Sequence, residues 1–423
     1  MTAGRVLAVL LYGQHLADLE QTGGGAHQLT YRDLDAGSGL SLAMPPRPET
    51  YRPRHVDPFL EGLLPDNEDT RTALGLEFEI SGRNPFALLE HIGLDCAGAV
   101  QFCRPEQVTE VLAQSGDLVP IDDQSIGTRL RELRADAGSS WLAINESWSL
   151  AGAQGKFALR REDGGWYRPT GAEPTTHIIK PGGTEFRAQA LNEHLCLLAA
   201  RLLGLSAASS EYTEFDGEPA IVVERYDRRR TADGRLLRVH QEDVCQALSI
   251  YPRDKYESSG GPRAADIVDL LDRVTTSRDW RTDTNAFLDA LILNYLLGAP
   301  DAHAKNYSLL LIGSSVRLAP LYDVASGFPY DATEQHGLRR AAMKIGGENR
   351  FGRVERRHWE RFAGEIRHPA DALLARVADL ATRAPDAMSS ALATQREAAA
   401  ELGPRLLDPL AAHCEAVAGG LNR

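Results

Sequence analysis

The chain has 423 residues, enough for two or three domains with substantial cores. Its hydrophobic fraction of 43% and charged fraction of 25% are those of ordinary folded protein and exclude a disordered or fibrous class. A formal charge of −13 argues against a nucleic-acid-binding surface of its own, while leaving room for a basic partner.

The N-terminal run Arg5 to Tyr12 is strand-like, and its apolar part, Val6 to Leu11, is too short and too soon followed by Tyr12-Gly13-Gln14-His15 to read as a signal peptide. Further extended runs are expected at His27 to Tyr31 and Leu40 to Met44, and a helical stretch around Asp57 to Leu64. From about 111 to 245 the pattern is mainly β, with one helix at Leu191 to Leu203 that Gly204 would end. From about 246 onward helices dominate. Asn285 to Leu297 is apolar on one face, and Ala370 to Thr382 and Ser389 to Leu402 are further helix candidates. The division read here is 1–110, 111–245 and 246–423. Five scattered cysteines with no C-x-x-C pair suit reduced thiols in cytosol. No apolar run approaches the ~20 residues that cross a bilayer.

The chemistry is concentrated in two places. Upstream, Ser149-Leu150-Ala151-Gly152-Ala153-Gln154-Gly155-Lys156 is a loop of small residues. A hairpin around Asp163-Gly164 follows, then the β-branched strand Thr176-His177-Ile178-Ile179-Lys180. Small residues let backbone N–H groups approach phosphate, and a lysine on the next strand can reach phosphate oxygens. A tight turn beside an ordinary lysine would look the same from either piece alone. Glu193, on the next helix, is either a partner for Lys180 or a solvated helix residue. The strand Pro219 to Glu224 then leaves into polar chain, and backbone around Glu224 to Tyr226 could bond an adenine.

Downstream, Asp301-Ala302-His303-Ala304-Lys305-Asn306 places an Asn five residues after an Asp, and Leu321-Tyr322-Asp323 follows. Phosphoryl transfer from ATP needs this set: one carboxylate to orient the attacking hydroxyl, and an amide oxygen with a second carboxylate for Mg²⁺. The expected fold is α+β, a bilobal protein-kinase-like architecture with a β-rich N-terminal region and a helical C-lobe.

In order along nearly the whole chain, several pieces resemble the HipA serine/threonine kinases, toxins of type II toxin–antitoxin pairs. They are Phe59-Leu60-Glu61-Gly62-Leu63-Leu64-Pro65-Asp66, Ala151-Gly152-Ala153-Gln154, Thr175 to Lys180, Val223-Glu224-Arg225-Tyr226-Asp227-Arg228, Gln241-Glu242-Asp243, Lys255-Tyr256-Glu257, and the Asp301 and Asp323 segments. The resemblance implies ATP-dependent phosphorylation of protein serine, with an aminoacyl-tRNA synthetase as target, glutamyl-tRNA synthetase first. It implies a HipB-like helix-turn-helix antitoxin dimer that carries the kinase to operator DNA. By motif, Ala151, Gly152, Ala153, Gln154 and Lys180 would bind ATP phosphates, and Glu224 and Tyr226 would lie at adenine. Asp301 would be the catalytic base, and Asn306 and Asp323 would hold Mg²⁺. Ser149 matches the serine that such kinases phosphorylate on themselves, with Ser147 close by. Gly155 and Ala302 depart from the family's usual Glu and Gly. A non-catalytic co-repressor module and a kinase of non-protein substrates are the alternatives.

Overall fold

The computed structural model describes residues 4–136, 146–182, 186–330 and 338–421. The chain forms two compact units. The first draws its described residues from Met1–Thr184, Thr213–Arg253 and Ser308–Val316, and the second from Glu185–Tyr212, Asp254–Tyr307 and Arg317–Arg423.

The first unit opens with an antiparallel sheet in which His27–Tyr31, Gln14–Gln21, Arg5–Leu11 and Gln101–Cys103 are successive neighbours. From Leu7 onward, Arg5–Leu11 is buried on both faces. Leu7, Val9 and Leu11 enter one core, and Ala8 and Leu10 enter another with Cys103 and Val111. That double burial explains a continuous apolar run in place of alternation. Tyr12 and Gly13, at φ 50° and 74°, make a tight hairpin turn that pairs Leu11 with Gln14. The strand Gln14–Gln21 was not expected, because its buried residues Leu16, Ala17 and Leu19 do not alternate and lie among His, Asp and Glu. Pro53–Leu63 forms the expected helix, started by Pro53 and burying Val56, Phe59, Leu60 and Leu63.

The expected strand at Leu40 to Met44 is not one: only an isolated bridge joins Ser41 to Met44. Its polar groups go to side chains instead. Leu40 N donates to the Tyr31 hydroxyl at 2.9 Å, and Leu42 N donates to Glu242 Oε1 at 2.7 Å. Glu242 Oε2 shares a further hydrogen bond of 2.6 Å with the Ser41 hydroxyl. Burial pushes the Glu242 carboxyl up to about 8, further than its hydrogen bonds bring it down. The unfolded chain therefore releases this proton near its ordinary value, and the folded chain holds it until about pH 8. Stability must fall as pH rises through that window. Glu242→Gln, which keeps one acceptor and one donor, should remove this slope. In urea titrations at pH 8 it is expected to be the more stable protein by on the order of a few kcal/mol.

In a second sheet of this unit, Glu218–Glu224, His177–Pro181, Phe157–Glu162, Gly165–Pro169 and Leu118–Ile121 are successive neighbours. Asp163 and Gly164, at φ 48° and 81°, close the expected hairpin. The helix Asp123–Ala135, absent from the sequence reading, packs Ile126, Leu130 and Leu133 onto Phe157, Leu159, Ile179 and Val222. Asp122 caps it by accepting from Ser125 N at 2.9 Å. Gly127, a poor helix former, obscures the pattern. It is required because a Cβ there would stand 2.5 Å from the Phe215 carbonyl oxygen. A third sheet pairs His240–Asp243 with Ser308–Ile312, in the register His240 to Leu311 and Asp243 to Ser308.

The second unit is mainly helical. Gln189–Leu202 lies close to its expected position, Trp280–Leu296 begins five residues before the expected Asn285, and Gly204 at φ 86° follows the first. Ala370–Ala393 is one helix of 24 residues, not two segments, and it runs through Pro385. Its buried stripe, Val377, Leu380, Ala384, Ala387, Met388 and Ala391, continues unbroken past the proline, so packing outweighs the lost backbone hydrogen bond. The last helix is Leu402–Gly420, and Ser389 to Leu402 is not a separate element. One unit rich in sheet and one dominated by helix make the α+β class that the sequence suggests. No helix among the described residues is long and apolar enough to cross a membrane.

Candidate functional site

Within the first unit, the small-residue loop and the lysine strand are joined. Trp148–Ser149 pairs in parallel with Asp95–Cys96, which fixes the start of the loop. Asp66 N donates to Gly152 O at 2.9 Å, beside a bridge between Pro65 and Gly152. The Leu64-Pro65-Asp66 piece of the N-terminal region thus braces the loop from outside. Gly152 has φ 104°, and a Cβ there would lie 2.6 Å from Lys156 Nζ. Lys156 is buried and donates to Ala151 O at 2.7 Å, so its ammonium closes the loop across its own neck. Gln154 Nε2 donates to Pro181 O at 3.1 Å, which ties the loop to the strand bearing Lys180. Lys180 is itself 6% exposed and lies opposite Ile221. Ser149 is 1% exposed, and its hydroxyl donates to Leu63 O at 2.7 Å.

Glu224 ends its strand exposed to solvent. Tyr226 is turned inward, with its hydroxyl bonded to Gln241 and burial raising its pKa. The charged residues beside it do not leave into solvent as the sequence suggests. Arg225, Asp227 and Arg228 are buried. Asp95 accepts from Thr175 Oγ1 at 2.7 Å, Arg228 Nη2 at 2.8 Å, Arg238 Nε at 3.0 Å and Arg225 Nη1 at 3.2 Å. Asp227 accepts from Arg225 Nη2 at 2.9 Å and Gly98 N at 2.7 Å. Burial alone would raise the Asp95 pKa, but Arg228, Arg225 and Arg238 outweigh it and hold the carboxyl far below its usual range. Thr175 lies two residues before the Lys180 strand, so this cluster fixes where that strand begins. Sequence reading passed over it, since Asp95 carries no local motif.

Within the second unit, the Trp280–Leu296 helix delivers the chain to Asp301. Gly298 at φ 62° turns it, and Ala299 N donates to Asn294 O at 2.9 Å. Asn294 also donates to the Tyr307 hydroxyl at 3.0 Å, holding the far end of the loop to the same helix. Inside the loop, Asn306 Nδ2 donates to Asp301 O at 2.8 Å. The amide nitrogen is thereby committed, and its oxygen is the atom turned elsewhere. Tyr322 brings in the next segment by donating to Lys305 O at 2.7 Å. Asp323 then takes φ 57°, a left-handed conformation that Asp tolerates better than most residues, and stands exposed. Asp301, Asn306 and Asp323 are thus grouped about one loop.

Those oxygen donors suit a hard cation. An amide oxygen and a carboxylate are what Mg²⁺ takes from protein when phosphates and water complete its shell. Two neighbours, Tyr256 and His303, were given no role at this site by sequence reading. The Tyr256 hydroxyl donates to Asp301 Oδ1 at 2.5 Å. His303 is buried, with Nε2 3.9 Å from Asp301 Oδ1 and Nδ1 without a hydrogen-bond partner. Desolvation, with Lys255 adding to it, pushes His303 down to about 3, so the ring is neutral near pH 7. Glu193, on the Gln189–Leu202 helix, is 3% exposed and so is not the solvated residue that was one of its readings.

Comparison with known proteins adds to this geometry. The HipA-like C-terminal domain matches residues 148–388, and the HipA N-terminal domain matches residues 7–103. A Sinorhizobium fredii protein named "Putative kinase Y4mE" is 37% identical over 84% of this chain and 83% of its own length. The Shewanella oneidensis serine/threonine-protein kinase toxin HipA is 29% identical over 80% of this chain and 77% of its own. Among solved structures, a chain of the Shewanella oneidensis HipA, HipB and operator DNA complex superposes with a TM-score of 0.82. It is 25% identical and covers 98% of both chains, so the kinase-like α+β fold is shared along the full length. The chain belongs to the HipA family.

Proposed function

We propose that this chain is an ATP-dependent serine/threonine protein kinase acting as the toxin of a toxin–antitoxin pair. One observation carries the reading: the Asp301 loop presents an exposed carboxylate beside an Asn306 whose amide nitrogen is already used, with Asp323 alongside. The loop of Ala151 to Gln154 and Lys180 would receive the ATP phosphates. Backbone near Glu224 and Tyr226 would receive adenine. Asn306 and Asp323 would hold Mg²⁺, which when bound neutralises phosphate charge. Asp301 orients a substrate hydroxyl and takes its proton as the new O–P bond forms and the bond from the γ-phosphorus to ADP oxygen breaks.

The named activity of the Shewanella relative supports the serine/threonine assignment, and the solved complex with HipB and operator DNA supports the partners. By the same reading, a HipB-like antitoxin dimer binds this acidic chain and joins it to operator DNA. The phosphorylated protein is an aminoacyl-tRNA synthetase, glutamyl-tRNA synthetase first among them, and the site of action is the cytoplasm.

Self-modification at Ser149 also belongs to this reading, and its burial sets a condition on it. The hydroxyl must leave Leu63 O before it can be phosphorylated, so the reaction must follow local opening of the loop. A phosphate of roughly −1.5 to −2 charges would then prevent the loop from closing again. Intact mass and peptide mapping after incubation with Mg-ATP test both claims. Wild type is expected to gain one phosphate on Ser149 slowly, and Asp301→Ala none. Synthetases should be labelled by wild type only. Absence of label on this chain and on every synthetase would refute the kinase reading.

A further inference from the structure

Asp323 lies in a bend outside any strand or helix, exposed and in a left-handed conformation. Mg²⁺ demands near-ideal octahedral geometry, with oxygens at about 2.0–2.1 Å. A carboxylate that serves it from a bend must be placed by the chain on either side.

Both flanks are held from the Gln189–Leu202 helix and the chain that follows it. Two residues before Asp323, Leu321 N donates to Ser206 O and Leu321 O accepts from Ala208 N, each at 2.8 Å. Three residues after it, Asn192 grips both peptide groups of Ser326. Asn192 Nδ2 donates to Ser326 O at 2.7 Å, and Oδ1 accepts from Ser326 N at 3.1 Å. Asn192 is fully buried, and the rest of its amide is engaged in the same core. Nδ2 also meets the Tyr330 hydroxyl at 3.2 Å, and Oδ1 accepts from Cys196 Sγ at 3.4 Å. A buried amide bonded at both ends makes its partner rigid, and losing either bond leaves a buried peptide group unsatisfied.

Ser326 passes the hold on to the Asp301 loop. Its hydroxyl donates at 2.6 Å to the carbonyl of Leu297, which caps the Trp280–Leu296 helix. Gly327 N donates to Gly298 O at 2.9 Å, at the residue whose positive φ turns the chain toward Asp301. A Cβ on Gly298 would stand 2.5 Å from the Phe328 ring, so this join is also closely packed. One buried side chain thus connects a helix, the Asp323 segment and the root of the loop that carries Asn306.

We propose that Asn192, acting through Ser326, is a positioning residue for the metal site. It sets the Asp323 carboxylate relative to the Asn306 amide, so that both can serve one cation. The proposal rests on the kinase reading above and deepens it, assigning the geometry of Mg²⁺ to a residue buried away from nucleotide.

Asn192→Asp keeps the size and the acceptor but sets a carboxylate oxygen against Ser326 O in place of the donor. Asn192→Leu removes both bonds at similar volume. For each, the Mg²⁺ concentration giving half-maximal kcat is expected to rise about 10- to 100-fold, the range seen when a group supporting a metal ligand is lost. Calorimetry reads the same effect without turnover. Mg-ATP binding should weaken, while ATP binding in EDTA should stay within about twofold of wild type. In an Asp323→Asn background, Asn192→Asp should cost no further Mg²⁺ affinity, because it acts through that carboxylate. An unchanged Mg²⁺ requirement in protein that urea titration shows to be folded would overturn the proposal, as would an equal loss of metal-free ATP binding. If neither Asn192 variant folds, Ser326→Ala decides. It removes only the bond to Leu297 O and should raise the Mg²⁺ requirement in the same direction, and no change would overturn the proposal. If wild type transfers no phosphate, the kinase reading falls, and the calorimetric comparison still decides the positioning role. Absence of any Mg²⁺ effect on ATP binding by wild type would overturn both.

Discussion

Asp301→Asn is expected to lower kcat by roughly 10²- to 10⁴-fold, the range that a positioned acid or base contributes. Calorimetric binding of Mg-ATP should change little. The reason lies in which atoms of Asp301 are used. Its backbone carbonyl, unaffected by the substitution, is what holds Asn306 Nδ2. An asparagine at 301 keeps an oxygen for the Tyr256 hydroxyl, so the loop retains its shape while the group that accepts the substrate proton is gone. Loss of nucleotide binding in this variant would mean that Asp301 belongs to the metal site and that the division of roles among Asp301, Asn306 and Asp323 is wrong.

Asp95→Ala should destabilise the first unit by about 3–5 kcal/mol, read as a shift in its urea unfolding transition. The loss is large because the substitution leaves Arg225, Arg228 and Arg238 gathered in the interior with one carboxylate, Asp227, in place of two. Removing one member of a buried ion cluster strands the others, whereas surface pairs such as Arg235–Asp233 contribute little. The acid limb provides a second readout. A carboxyl whose folded pKa is depressed contributes stability above its unfolded value, and that contribution is lost as pH falls below about 4. Asp95→Asn should therefore show a shallower loss of stability in acid than wild type. Equal acid limbs would mean that Asp95 is not the residue whose protonation opens this cluster.

The parts of the fold that could be read from sequence were those specified locally. Asp163-Gly164 adopts the positive φ values of a hairpin turn between two extended runs, and the stripe of Phe287, Leu288, Leu291 and Tyr295 made one helix unmistakable. Non-local effects hid the rest. Gly127 weakens the pattern of its helix and is there because Phe215 approaches closely, and Pro385 marks a break that the buried stripe overrides. At the site, the pieces joined by short-range bonds, Asp301 to Asn306 above all, could be anticipated from spacing. Tyr256 could not, since the partner of its hydroxyl lies on another loop far along the chain. Asp95 was invisible for the same reason: its four partners come from Thr175 onward, and a lone Asp in an apolar stretch carries no sign of them.

The segment Ser308–Val316, which opens with the strand Ser308–Ile312, belongs to the first unit, although the chain on either side of the segment belongs to the second. On the ribosome, His240–Asp243 emerges many residues before its partner, and at roughly 5–20 residues per second the wait lasts for seconds. During that interval the nascent protein displays an open strand edge, and the Tyr12 hydroxyl, which bonds both His240 N and Leu311 O, lacks one of its anchors. Translation that stalls between the two strands would release a chain primed to pair with copies of itself. A protein of this design is therefore most vulnerable to aggregation at a definable moment of its own synthesis.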